Sequence, residues 1–95
     1  MTKIKLNNEE FEINTFTRTT FFGDEAVKSF ANFEVVSLDL EKMTALAANI
    51  ITVLQIYHNN DLIYDLQNTN IHIDNVNDLL NNDTVTTTVN LTFNI

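Results

Sequence analysis

Apolar and polar residues alternate along much of this chain with the period of two that a half-buried β-strand requires. Ile4 and Leu6 between Lys3 and Lys5 open the pattern, Asn7-Asn8 breaks it as a hairpin turn, and Phe11 and Ile13 resume it. The second strand is expected to run on through Thr15–Thr19, with a bulge that explains why Phe16 breaks parity. Thr20–Ala31 loses the alternation and reads as a long loop, and Phe33–Leu38 returns to strand. The period then changes. At 100° per residue, Leu40, Met43, Leu46, Ala47 and Ile50 fall within an arc of roughly 120°, the width of a core-facing helical stripe. Glu41, Lys42 and Asn49 take the other side, and Asp39 or Ser37 is placed to cap a helix over residues 40–50.

Strand spacing returns over Thr52–His58, Asn59-Asn60 marks a turn, and Asp61–Gln67 is the hairpin partner, with Leu62, Tyr64 and Leu66 on one face. After a turn at Asn68–Asn70, Ile71 and Ile73 mark another strand. Asp74–Leu80 reads as one helical turn capped by Asp74 and ended by Asn81-Asn82-Asp83. The last strand carries the strongest signal. Val85, Thr87, Val89, Leu91, Phe93 and Ile95 alternate with Thr84, Thr86, Thr88, Asn90, Thr92 and Asn94 in strict register. These elements predict one domain, residues 1–95, of the α+β class and mostly β. About seven largely antiparallel strands should form a sheet or small sandwich, with one helix packed on a face.

Composition narrows the possible functions. A 95-residue chain that is 44% hydrophobic has enough apolar surface for one core and little left for a deep cleft. No apolar run approaches the roughly 18 residues of a membrane span, and MTKIKLNNEE lacks the stretch of a signal peptide. Cysteine and proline are absent and Gly23 is the single glycine, so disulfides, thiolate chemistry and glycine-rich phosphate loops are excluded. Fifteen asparagines are available for the left-handed turn positions that glycine usually fills. The net charge is −8, and all five cations lie in the first 42 positions. Direct nucleic-acid binding needs a basic footprint, and this chain has the reverse.

Candidate chemistry is sparse. His58 and His72 fall at solvent-side strand positions, and Ser29 and Ser37 have neither a neighbouring base nor a sharp glycine elbow. The oxygen-rich stretch Asp74–Asp83 lacks the glycine and late glutamate of a calcium loop, and capping explains it more simply. No catalytic, cofactor or metal residues are therefore assigned, and neither a small-molecule substrate nor a membrane is expected. Aromatic residues are costly to leave in water and favoured at interface centres, so Phe21, Phe22 and Phe30 either fold back to plug the core or are partner-binding residues, for a protein partner or for another copy of the chain. Glu9, Glu10 and Glu12 are the densest acidic run and the candidate surface of an electrostatic mimic.

The layout KIKLNNEEFEI, then TRTTFFGDEA, a helix, IYHNNDLIYDLQ and a closing amphipathic strand, resembles small proteins encoded by phages of low-GC Gram-positive bacteria. The resemblance implies a virion or assembly role, tail- or head-associated, and a location in the host cytoplasm or the virion. Such phages also encode small acidic inhibitors of host defence proteins, which is the alternative that the −8 charge suggests.

Overall fold

In the computed structural model, which describes residues 1–94, seven strands and one helix follow the order β1 (Thr2–Leu6), β2 (Glu9–Phe22), β3 (Val27–Val35), α1 (Leu40–Ala47), β4 (Leu54–His58), β5 (Asp61–Leu66), β6 (Ile71–Asn81) and β7 (Thr84–Phe93). The strands make one sheet in the order β5-β4-β1-β2-β3-β7-β6, with every neighbouring pair antiparallel. The mostly-β α+β expectation therefore holds. The turns use asparagine as expected. Asn7, Asn59, Asn60, Asn68 and Asn82 all have positive φ, whereas Gly23 does not. Asn59 and Asn60 together suit a two-residue turn whose twist matches the flanking strands.

The sheet is strongly curled. In a flat sheet β5 would lie about 14 Å from β2, three strand spacings away. Instead the Phe16 and Tyr64 rings pack 5.4 Å apart. The segment leading into β4 is also joined by backbone hydrogen bonds to the start of β6 at the opposite edge, from Ile71 N to Ile51 O at 2.9 Å and from Thr69 N to Thr52 O at 3.1 Å. Asn7 braces this closure. Its Oδ1 accepts from Thr52 N and Val53 N, and its Nδ2 donates to the Ile50 carbonyl.

One hydrophobic cluster fills the concave side. Ile4, Leu6, Phe33, Leu54, Val89 and Leu91 are fully or almost fully buried, and Met43 and Leu46 of α1 close over them. Asp39 caps the helix by accepting from Lys42 N at 3.1 Å. Leu40, at the first position of the helix, is about two-thirds exposed; the helix stops at Ala47, so Ile50 lies beyond it, equally exposed, and Ile51 enters the core where the helical stripe placed Ile50.

Several boundaries differ from the expectation. Thr20–Ala31 is not a loop: β2 and β3 continue as a hairpin to Phe22↔Val27, leaving only residues 23–26 as the turn. Alternation vanished there because both faces of the hairpin are apolar near its tip. Asp74–Leu80 is not a helical turn but part of β6. A register shift between Ile73 and Asn75 moves Val76 back to the inner face, and that bulge concealed the period of two. The bulge expected before Phe16 is present, between Ile13 and Thr15. β3 starts earlier and ends earlier, at Val35, than the pattern suggested, and β4 begins two residues later, at Leu54. In β7, Val89, Leu91 and Phe93 are buried and Val85 is exposed; Ile95 lies outside the described residues.

Candidate functional site

The curl leaves two hairpins projecting beyond it, and register shows where they go. β3 pairs with β7 from Ser29↔Phe93 to Val35↔Thr87. The β2–β3 tip extends past the first pair and the β6–β7 tip past the last, so they point in opposite directions. The molecule is elongated, measuring 44 Å against 30 and 25 Å.

The first arm is rooted by Arg18. Its Nη1 donates to Tyr64 OH at 3.0 Å and its Nη2 to Ser29 Oγ at 3.3 Å, and its guanidinium lies 4.7 Å from the centre of the Phe93 ring. Ser29 is fully buried and also bonds Thr20 Oγ1 at 2.9 Å. Beyond this root β2 has lost its β1 neighbour, whose pairing ends at Ile13↔Thr2. Strand pairing alone carries the chain outward to the turn, where Gly23 N donates to Ala26 O at 3.1 Å. A Cβ on Gly23 would sit 3.1 Å from that carbonyl, which favours glycine there.

The three candidate phenylalanines come together on this arm. Phe21 and Phe30 meet edge to face on the outer side, centroids 5.8 Å apart, and Phe22 pairs with Val27 on the inner side. They are 57%, 39% and 83% exposed for Phe21, Phe30 and Phe22. None closes the core, so the aromatic tip is presented to solvent.

The second arm is a surface that the sequence reading missed. Asn82-Asp83 forms its turn, with Asn82 left-handed and Asn81 paired to Thr84. Leu79, Leu80 and Val85 are 63%, 70% and 61% exposed. Hydrogen bonds from Thr87 Oγ1 to Asp78 Oδ1 at 2.7 Å and from Asn90 Nδ2 to Asn75 Oδ1 at 2.7 Å tie the two strands together. A Leu-Leu pair beside an Asn-Asn-Asp turn was the available signal.

The acidic run lies elsewhere, at the start of β2. Glu9 stands 3.6 Å from Lys42 Nζ and Glu10 stands 3.9 Å from Lys3 Nζ, while Glu12 is exposed opposite Lys3. Two of the three carboxylates thus face a lysine. His58 bonds Thr2 Oγ1 at 2.8 Å at the exposed end of β4, and His72 is exposed opposite Thr92. Among the described residues no three His, Cys, Asp or Glu side chains gather as a metal site, and no helix is long and apolar enough to cross a membrane.

No protein-family model, curated protein or solved structure matches this chain. Its surfaces are what inform a functional reading.

Proposed function

We propose that this chain is a non-enzymatic, phage-type virion or assembly component, tail- or head-associated, that acts through protein–protein contacts at its projecting arms. One observation carries the reading: Phe21, Phe22 and Phe30, the residue type favoured at interface centres, are held out on a braced hairpin and not folded into the core. Large aromatics grouped in water on a projecting hairpin favour a contact surface. The resemblance to small phage proteins agrees with such a role.

The alternative, an acidic inhibitor of a host defence protein, draws less support from the geometry. A phosphate mimic gathers uncompensated carboxylates on one face, whereas Glu9 and Glu10 sit beside lysines. Mass spectrometry of purified particles from the encoding phage separates the two. The structural reading expects the chain in particles at many copies. Abundant early expression with none in particles would contradict it and favour inhibition.

A further inference from the structure

We infer that the partner of each arm is the opposite arm of a second copy, so that the chain assembles head to tail. This deepens the arm-contact reading and rests on it.

Three observations choose this occupant. First, the two apolar tips project in opposite directions along the β3–β7 pair. A contact between unlike ends is heterologous and repeats from copy to copy, giving a ring or a filament according to the rotation at each joint. Second, charge disfavours the pairing of two second arms. The second arm carries Asp78 and Asp83 and no cation, while the first carries Lys28 opposite Phe21, with Asp24 and Glu25 confined to its turn. Two second arms together would oppose four carboxylates with nothing to offset them. Two first arms together would leave Leu80 and Val85 in water. The unlike pairing covers both apolar tips and brings Asp78 and Asp83 of the second arm to the arm that holds a cation, Lys28.

Third, each arm offers a free ladder as well as apolar side chains. Among the described residues β2 has no strand on the side away from β3 from Arg18 to Phe22, and β7 has none on its β3 side from Thr84 to Thr86. Backbone pairing between the arms would set register, and alternate side-chain contacts would supply specificity. The side chains involved cover less than the roughly 1,200 Å² of a standard interface. Each joint is therefore weak, and assembly depends on concentration.

The test is complementation between two variants in sedimentation velocity. Phe22→Asp disables the first arm and keeps the second; Leu80→Asp does the reverse. Both sites are exposed, so both variants should melt as the wild type does, and Phe22→Ser and Leu80→Ser serve if either aspartate impairs folding. Wild-type protein should grow beyond a dimer as concentration rises to about 1 mM, the range in which joints this small associate. Each variant alone should stay monomeric, and an equimolar mixture should stop at a one-to-one dimer. Lys28→Glu should weaken wild-type growth several-fold. A Leu80→Asp dimer would instead show first arms pairing with each other and overturn the inference. So would a mixture that stays monomeric, or a wild type monomeric throughout. Presence of the chain in particles together with a monomeric wild type would sink head-to-tail assembly and leave the arm-contact reading standing.

Discussion

At the residue scale, the structure turns on a few asparagines and a few phenylalanines. Asn7 holds a left-handed backbone and three hydrogen bonds to the segment leading into β4, which closes the curl. Asn7→Ala loses both and should cost roughly 2–3 kcal/mol in urea melts. Asn60→Gly, at a left-handed turn position, should change stability by less than about 0.5 kcal/mol. Asn7→Gly keeps the left-handed backbone and loses only the bracing, so a loss there no larger than at Asn60→Gly would show that turn geometry alone matters. The phenylalanines divide in the same way. Phe33 is fully buried, and Phe33→Ala should cost about 3–5 kcal/mol. Phe22→Ala should leave the melting midpoint nearly unchanged while weakening association. Sequence distinguishes such residues only through their neighbours. Phe33 sits in clean alternation, whereas Phe21-Phe22 places one aromatic on each face and reads as neither strand nor core.

Among the elements, legibility followed how simply each one uses its faces. β7 was plain because Val89, Leu91 and Phe93 face the core while threonines and asparagines alternate with them. β6 was hidden by its bulge at Asp74, and the β2–β3 arm by its two apolar faces. The helix was legible as an element but not at its end, where Ile51 replaces Ile50 in the core. Leu46→Ala should therefore destabilise by roughly 2–4 kcal/mol, and Ile50→Ser by less than about 0.5. Asp39→Ala should remove about 1 kcal/mol of capping. Hydrogen exchange should find the amides of β1 and the middle of β3 most protected, with those at 21–28 and 79–86 opening first. Uniform protection across both arms in dilute solution would contradict their projection from the core.

For the molecule as a whole, shape and charge act together. A curled sheet with one core supports two outstretched arms, and the chain carries a net charge of −8. Copies approaching one another repel, so added salt should tighten self-association by screening that repulsion. A complex built on carboxylates facing a basic partner would weaken instead. The sequence announced the acidity and the first aromatic cluster. It did not announce that a second apolar tip lies at the far end, because that depends on where β3–β7 pairing stops. The most direct measurement is an NMR dilution series on isotope-labelled protein. The account predicts that resonances at 19–22, 27–30 and 79–86 move with concentration while those of β1 and β4 stay fixed. Shifts confined to the outer edges of β5 and β6, or to the surface around Glu9, Glu10 and Glu12, would contradict it.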